Sequence, residues 1–201
     1  GYAPALGFFR DRVLPLCSYV IATEPLTAAQ WQSIGWQRRQ GIADMRVLFD
    51  YQRPTADGRI VIGGSDAPYF ADDRLSSGNY KPAIETLTRS LFATFPQLEG
   101  LRIDHAWGGT MGFTMDFTPS IGILGDDKNI FYGVAYNGEG VAFSQTAGRI
   151  IAELMAGATS ELTKLFVVNH QMPYLGPRSI RIVFERLYKW YLTRAGSKTV
   201  R

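Results

Sequence analysis

An apolar run that leads straight into a glycine-rich turn constrains this chain more than any other feature of its sequence. The run NIFYGVAY (129–136) has the composition of a strand buried on both faces. The turn NGEGV (137–141) follows, and an amphipathic helix is predicted from about Val141 to Met155, with Gly157 placed to end it. One side of that helix is apolar: Phe143, Ala147, Ile150, Ile151 and Leu154. A strand, a glycine turn and a helix in this order are typical of a place that holds a phosphate or another anion.

The chemistry of the glycine turn supports two interpretations. The first turn of a helix leaves backbone N–H groups without partners, and glycine lets a ligand approach the backbone closely. The turn therefore fits a loop that directs its N–H groups at an electron-rich group. It lacks the dinucleotide fingerprint, because Phe143 stands where the third glycine would be and no acidic residue follows a second strand. From the residues alone, glycines that serve only the turn are the commoner explanation.

The residues before this unit predict short strands and a first helix. CSYVIAT (17–23) has strand character, and Thr27 with Gln30 forms a capping box for a helix that ends near Gly35. RVLFDYQRPTADGRIVIGG (46–64) predicts a hairpin that turns at Asp57–Gly58. One face of the hairpin would carry Val47, Phe49, Tyr51 and Arg53.

The middle of the chain predicts a second helix and three more strands. The helix starts at Pro82 and ends before Pro96. Its apolar residues are Ile84, Leu87, Leu91, Phe92 and Phe95. LRIDHAW (101–107) alternates as a strand does, and two strands flank the turn GDDKN (125–129). The segment 65–79 is predicted to be a loop, and 159–177, rich in Pro, Gly and Thr, marks a soft boundary.

Composition excludes several kinds of site. The 201 residues carry 21 basic and 18 acidic side chains, and a net charge of +3 is too small to indicate nucleic-acid binding. Cys17 is the only cysteine and the chain has two histidines, His105 and His170, so no metal site is predicted. No apolar run approaches the roughly 20 residues of a membrane span, no signal peptide is apparent, and a cytoplasmic location is expected. The chain opens with Gly1 rather than Met, which we interpret as processing or as a piece of a longer protein.

The order and spacing of several motifs resemble a known superfamily. Three of them are similar, in this order, to the C-terminal part of D-amino-acid-oxidase-like flavoproteins: WGGTMGFTMDFTPSIG (107–122), NIFYGVAYNGEGV (129–141) and AGRIIAELMAG (147–157). That group includes glycine oxidases, sarcosine oxidases and bacterial γ-glutamylputrescine oxidases. Upstream, LPLCSYVIATEPL (14–26) and YQRPTADGRIVIGGSD (51–66) resemble strands of the substrate domain. The resemblance covers most of residues 14–158.

The resemblance implies a fold and a division of the chain. In the family, an N-terminal Rossmann-like segment holds the FAD pyrophosphate, and the C-terminal glycine turn returns to the flavin ring. The implied fold is α+β: a mainly antiparallel substrate-domain sheet with flanking helices, plus a C-terminal strand–helix that completes an FAD-binding domain absent here. Residues 1–120 would be part of the substrate-binding domain, 121–158 the C-terminal part of the FAD-binding domain, and 159–201 an extension. The missing N-terminal half of the same protein is then an expected partner, and the chain alone is expected to be inactive.

The resemblance also implies which residues face the flavin. They are Gly112, Thr114, Asn137, Gly138, Glu139, Gly140 and Val141. Amides of the turn would stabilise negative charge near N1 and C2=O of the reduced flavin. Glu139 has the alternative of facing solvent or capping the helix, and Asp116 is expected to hold its own turn. Some family members attach FAD covalently through a cysteine that lies near the strand matching residues 110–114. The corresponding stretch here, TMGFT, contains no cysteine, so FAD is expected to be held non-covalently.

Four residues are implied on the substrate side. Tyr51 lies where family members place aromatics over the substrate, with a core tyrosine as the alternative, and Trp107 lines a pocket or packs in the core. The family's carboxylate-binding arginine corresponds to Met111, where a free α-carboxylate would find no partner. Arg53 is the cation left to reach in from the hairpin. His105 is expected to be a hydrogen-bonded sheet residue, and no catalytic residue is predicted, because the flavin carries the hard step.

The tail from Arg178 to Arg201 predicts a basic amphipathic helix whose one acidic residue is Glu185. Its apolar face would carry Ile180, Val183, Phe184, Leu187 and Tyr191. Such a helix lies on an anionic membrane or docks its apolar face on the rest of the protein, and we favour docking.

The function implied by the resemblance is oxidation of a C–N bond of an amine or amino acid, by hydride transfer to flavin N5 in the full-length protein. Two alternatives stay open. One is a flavin dehydrogenase with a non-oxygen acceptor, and the other is a non-catalytic ligand-binding or interaction module.

Overall fold

Two compact units make up the chain. The computed structural model describes residues 1–46, 48–64, 67–69, 78–177, 180–183, 186–187, 190–191 and 194. Unit 1 comprises Gly1–Leu16, Tyr69–Leu75 and Thr110–Val183, and unit 2 comprises Cys17–Pro68, Ser76–Gly109 and Phe184–Arg201. Most of the predicted loop 65–79, and Val47 of the predicted hairpin, lie outside the described residues.

A five-stranded sheet provides most of the β-structure. Its strands are β1 (Leu14–Thr23), β2 (Ile42–Ala43), β3 (Asp50–Pro54), β4 (Ile60–Gly64) and β5 (Ile103–Phe113). They lie in the order β2-β3-β4-β1-β5, and β4 is antiparallel to both β1 and β3. The predicted antiparallel sheet is confirmed, although β5 runs well beyond the predicted end at Trp107.

The β3–β4 hairpin turns at Asp57–Gly58 as predicted. Gly58 adopts a φ of 87°, and its N–H donates to the carbonyl of Thr55 over 3.1 Å. Tyr51 lies opposite Gly63 in the register of the two strands, and Arg53 lies opposite Val61. The residues that alternate with Tyr51 and Arg53 in β3 are buried, so the hairpin has one buried and one open face.

Helix α1 (Ala28–Ile34) begins at the predicted capping box. The N–H of Gln30 donates to Oγ1 of Thr27, and the N–H of Thr27 donates to Oε1 of Gln30 over 2.8 Å. Gly35 adopts a φ of 66° and ends the helix, as predicted.

Helix α2 (Lys81–Thr94) presents the predicted apolar side to unit 2. Pro82 lies in its first turn, and the helix ends before Pro96. It packs on β4 and buries Ala83, Leu87 and Leu91. Because burying a leucine stabilises a fold by about 1.5–3 kcal/mol, this side holds α2 on the sheet.

The predicted strand–turn–helix lies in unit 1. Strands β6 (Ser120–Leu124) and β7 (Ile130–Val134) pair antiparallel, and helix α3 (Gly140–Met155) contacts both. Ile121, Ala147, Ile150 and Val167 form a buried cluster against which other apolar side chains of α3 pack. Gly157 follows α3 with a φ of 65°, which confirms the predicted end of the helix.

The prediction that 129–136 is buried on both faces is wrong. Ile130 is 39% exposed, the rest of β7 is only partly buried, and Ala135 is the one buried residue of the run. β7 pairs with β6 and is contacted by α3, and these elements leave its side chains partly exposed.

The prediction that the apolar face of the tail docks on the protein is wrong for its described residues. Ile180, Val183, Leu187 and Tyr191 are each more than half exposed, and Phe184 lies outside the described residues. The buried side chain is instead Arg181, which donates to the carbonyl of Arg10 over 2.6 Å and to that of Gly176 over 3.0 and 3.2 Å. Hydrogen bonds from a polar side chain, rather than apolar burial, hold this part of the tail to unit 1.

Candidate functional site

The turn between β7 and α3 has a strained backbone. Ala135 and Asn137 adopt left-handed φ values of 58° and 52°, and Gly138 follows with 98°. A left-handed backbone costs about 1–2 kcal/mol for a residue with a Cβ, although asparagine tolerates it better than most. Such strain concentrates at ligand-binding sites. Nothing lies within 4 Å of the position that a Cβ on Gly138 would take, so the turn is open there.

The backbone N–H groups of the turn fall into two sets. Those of Asn137 and Glu139 are used inside the protein: the first donates to the carbonyl of Gly112 over 3.0 Å and the second to that of Tyr136 over 2.8 Å. In the part of the chain that the structure describes, those of Gly138, Gly140 and Val141 make no hydrogen bond. The N–H of Ala142 is likewise without a hydrogen bond in that part of the chain. Together with the three free donors of the turn, it forms a local positive pole at the start of α3 that fits an electron-rich edge of a ligand.

The end of β5 is hydrogen-bonded to this turn. Thr114 is 3% exposed, and its N–H donates to Oδ1 of Asn137 over 2.9 Å. The structure therefore brings Gly112, Thr114 and Asn137 together, as the resemblance implies. A Cβ on Gly112 would approach Cγ1 of Val13 to 3.0 Å, so packing against Val13 is a sufficient reason for glycine at this position.

The side chain of Glu139 takes no part in capping. It is exposed, and it makes no cap hydrogen bond at the start of α3. The structure therefore shows Glu139 facing solvent, and it excludes the alternative that Glu139 caps the helix.

Asp116 holds its own turn, as predicted, and also has a partner that the sequence did not indicate. Its Oδ1 accepts from the N–H of Thr118 over 3.2 Å, and its Oδ2 lies 2.7 Å from Nε2 of His170. Burial opposes ionisation of the carboxyl, but the bonds from His170 and Thr118 outweigh it, and the pKa of Asp116 lies below its usual value. No spacing rule connects two residues 54 positions apart, so the pair could not be found from sequence.

An apolar cleft of about 320 Å³ adjoins the turn. It is lined by Phe117, Pro119, Tyr136, Asn137, Glu139, Phe143, Leu165, Phe166 and Val167. The rings of Tyr136 and Phe143 meet edge to face with centroids 5.4 Å apart, and burial raises the pKa of the Tyr136 hydroxyl. The sequence did not indicate the cleft because 165–167 lies in a segment interpreted as a boundary.

Tyr51 lies on the open face of the hairpin in unit 2. A Cβ on Gly63 would collide with its ring, so the ring lies across the bare backbone of Gly63. Burial raises the pKa of the Tyr51 hydroxyl, and the neighbouring side chain of Ser18 lowers it by a smaller amount. At 39% exposure, and with its ring centroid 6.4 Å from that of Phe49, Tyr51 belongs to an open aromatic surface rather than to the core.

The other predicted substrate residues are also accessible. Arg53 is exposed on the same face of β3, and no acidic partner binds it within the described residues. Trp107 is 44% exposed, which excludes core packing, and His105 is exposed as well. Met111 is partly buried near the end of β5, in the part of that strand that belongs to unit 1.

The described residues form neither a metal cluster nor a membrane-spanning helix. Among them, no three acidic, histidine or cysteine side chains are grouped so as to bind a metal ion. No helix in that part of the chain is both long enough and apolar enough to cross a membrane.

Comparison with known proteins defines first the class and then the family. The fold is similar to that of glycine oxidase from Geobacillus kaustophilus, with a TM-score of 0.61 and 15% identity over 81% of this chain and 40% of that one. The likeness shows a mixed α/β fold with an antiparallel sheet. The family model "DAO: FAD dependent oxidoreductase" matches residues 2–154, and the chain belongs to this family. The cofactor of the family is FAD.

Two curated relatives show how much of the family's length is present. Gamma-glutamylputrescine oxidoreductase of Escherichia coli is 35% identical over 174 residues, which are 86% of this chain and 38% of that protein. The probable oxidoreductase OrdL of Haemophilus influenzae is 32% identical over 152 residues, which are 76% of this chain and 32% of that protein. The chain thus spans 32–38% of the length of these relatives.

Proposed function

We propose that the whole protein to which this chain belongs oxidises a C–N bond of an amine or amino acid with FAD. The observation that carries the proposal is the free N–H groups of Gly138, Gly140 and Val141 in a chain of the DAO family. The chemistry that FAD supplies when bound is acceptance, at N5, of a hydride from the carbon attached to nitrogen.

The turn fits the charge that develops on such a cofactor. Its free N–H groups and the positive end of α3 would stabilise negative charge at the N1 and C2=O side of the ring. Gly138 leaves room for close approach, because nothing lies where its Cβ would be. Gly112 and Thr114 would contribute through their bonds to Asn137. These residues bind and orient, and none of them needs to titrate.

We propose that FAD is held here without a covalent bond. The single cysteine, Cys17, is buried in β1, and residues 110–141 contain none. Denaturing the FAD-loaded protein and filtering it is expected to leave a colourless polypeptide. Flavin colour retained on a peptide from 110–141 would contradict this.

The rest of the cofactor site is proposed to lie outside this chain. The chain covers 38% of its E. coli relative. Its turn lacks the dinucleotide fingerprint, because Phe143 stands where the third glycine would be. We propose that a missing N-terminal half of the same protein supplies that group's site. In this division, 1–120 contributes to the substrate-binding domain, 121–158 completes the FAD-binding domain, and 159–201 is an extension.

The substrate is proposed to be an amine of the polyamine type. Phe49 and Tyr51 provide an aromatic surface, and Trp107 is accessible as a further wall. Met111 stands where the family's carboxylate-binding arginine is expected. An α-carboxylate buried against Met111 would lack a partner, which costs several kcal/mol. The E. coli relative is named for γ-glutamylputrescine, which supports the same substrate class.

Anaerobic titration of the whole protein tests this function. Putrescine-like amines, N-methylated amines, glycine, sarcosine and D-alanine are added in turn while the visible flavin band is followed. We expect an amine to bleach the band and oxygen to restore it. Restoration by another electron acceptor alone would identify a dehydrogenase. A loaded protein that none of the compounds bleaches would contradict oxidation and favour a non-catalytic module.

A further inference from the structure

The conformation of the glycine turn depends on one asparagine. Ala135 and Asn137 are both left-handed, with Tyr136 between them, and alanine has no side-chain group that could compensate. A backbone in this region persists only where its surroundings determine it.

The side chain of Asn137 spans the turn and the end of β5. Its Oδ1 accepts from the N–H of Thr114 over 2.9 Å, and its Nδ2 donates to the carbonyl of Ala135 over 2.5 Å. Its backbone N–H donates to the carbonyl of Gly112 over 3.0 Å. One residue thus closes the strained turn on itself and also ties it to a neighbouring strand.

A second contact sets the other side of the turn. The ring of Tyr136 lies between Gly133 and Gly140, since a Cβ on either glycine would come within 3.4 Å of a Tyr136 atom. Asn137 and Tyr136 therefore restrict the backbone on both sides of Gly138, next to the free N–H groups.

Both ends of the Asn137 amide are occupied within the protein. Its two polar side-chain atoms make the bonds to Thr114 and Ala135, and its N–H is bonded to Gly112. A cofactor beside the turn would meet the N–H groups of Gly138, Gly140 and Val141 instead. We propose that Asn137 is a positioning residue that holds these three donors in the geometry that FAD requires. This inference rests on the proposed function. It gives Asn137 a positioning role, whereas the resemblance implied that Asn137 itself faces the flavin.

Three substitutions separate the parts of this role. Asn137→Gly keeps the left-handed backbone at no cost and removes the side-chain bonds to Thr114 and Ala135. Asn137→Asp keeps the acceptor for Thr114 but turns an oxygen towards the carbonyl of Ala135. Asn169→Gly is the matched control, because Asn169 is a left-handed asparagine (φ 56°) in the same unit and has no bond to the turn.

The first measurement needs no flavin. Amide hydrogen exchange of Thr114 in the FAD-free whole protein reports the bond to Oδ1 of Asn137 directly. We expect faster exchange in Asn137→Gly than in the wild type, and wild-type exchange in Asn169→Gly. Unchanged exchange in Asn137→Gly would overturn the proposal.

The second measurement uses the FAD-loaded protein. We expect both Asn137 variants to shift the visible flavin spectrum and to lower kcat about 10- to 100-fold with little change in KM, as for a small misplacement of catalytic groups. A wild-type spectrum and kcat in either variant would overturn the proposal, and so would the same losses in Asn169→Gly. Asn137→Gly could be isolated without FAD, and FAD is then added back to it and to Asn169→Gly. Weaker FAD binding by Asn137→Gly than by Asn169→Gly supports the proposal, and equal binding overturns it. If the wild type is bleached by no substrate, the proposed function fails, while the exchange and spectral results still decide on Asn137.

Discussion

Nε2 of His170 lies 2.7 Å from Oδ2 of Asp116 and ties the segment after α3 to the turn after β5. The N–H of the adjacent Asn169 donates to the carbonyl of Ile121 over 2.7 Å, and Oγ of Ser120 donates to the carbonyl of His170 over 2.9 Å, so the ion pair is one of several contacts of this segment within unit 1. The folded state lowers the pKa of Asp116, so the carboxylate contributes stability above the unfolded pKa of about 3.9 and loses it as the pH falls through the lower, folded value.

Asp116→Asn is therefore expected to loosen the segment at neutral pH. The measurement is the amide hydrogen-exchange rate of Asn169 in the variant, divided by the rate in the wild type at the same pH. We expect a ratio above one at about pH 7 that falls towards one as the pH drops through the folded pKa of Asp116, because the wild-type carboxyl then becomes protonated. The control is Asp126→Asn, in the exposed turn between β6 and β7. A ratio of one at neutral pH would show that the pair does not hold the segment.

Gly63→Ala is expected to displace the Tyr51 ring, because the new Cβ would collide with it. If Tyr51 forms part of the substrate surface, kcat/KM for the preferred amine falls by about 10-fold, which corresponds to about 1.4 kcal/mol. The control is the same substitution in a Tyr51→Ala background, where no ring remains to be displaced. An equal loss in both backgrounds would mean that Gly63 acts independently of Tyr51.

The whole enzyme is expected to prefer amines to free small α-amino acids, because Met111 offers a carboxylate no charge. The measurement is kcat/KM for putrescine-like amines, N-methylated amines, glycine, sarcosine and D-alanine. Arg53 is the exposed cation of the hairpin, so Arg53→Ala is measured beside the wild type. A clear preference for glycine, sarcosine or D-alanine that is lost in Arg53→Ala would show that the carboxylate is bound from the hairpin side.

The 201-residue chain alone is expected to bind FAD weakly. Its turn offers three free N–H groups to the ring, and the pyrophosphate site is proposed to lie in the missing half. Titration of FAD into the purified chain, beside the whole protein, measures the difference. Sub-micromolar binding by the chain would contradict this division of the site.

The sequence predicted the local elements well where a single residue type decides the structure. The capping box at Thr27, the turn at Gly58 and the end of α3 at Gly157 all depend on neighbours within a few positions, and all are confirmed. The burial of β7 was predicted wrongly because an apolar run indicates what a strand prefers to cover, whereas the elements that pack on its two faces decide what is covered.

The proximity of three candidate residues was predictable, their bonds were not, and their contact with the flavin stays a prediction. The resemblance implied Gly112, Thr114 and Asn137, and the structure joins them through backbone and side-chain bonds across 23 positions. No pattern indicated that Asn137 and Glu139 use their N–H groups internally, or that Asp116 meets His170, because these contacts form only in the tertiary fold. The buried Arg181 was missed for the same reason: spacing places a residue on a helix face but does not show which carbonyls it meets.

Residue-resolved amide hydrogen exchange of the turn in the whole protein, with and without FAD, tests the central claim most directly. The account predicts that FAD slows exchange at Gly138, Gly140 and Val141, whose N–H groups are free, and changes it little at Asn137 and Glu139, whose N–H groups are already bonded. Unchanged exchange at all three of the free positions on loading with FAD would contradict the assignment of this turn to the flavin.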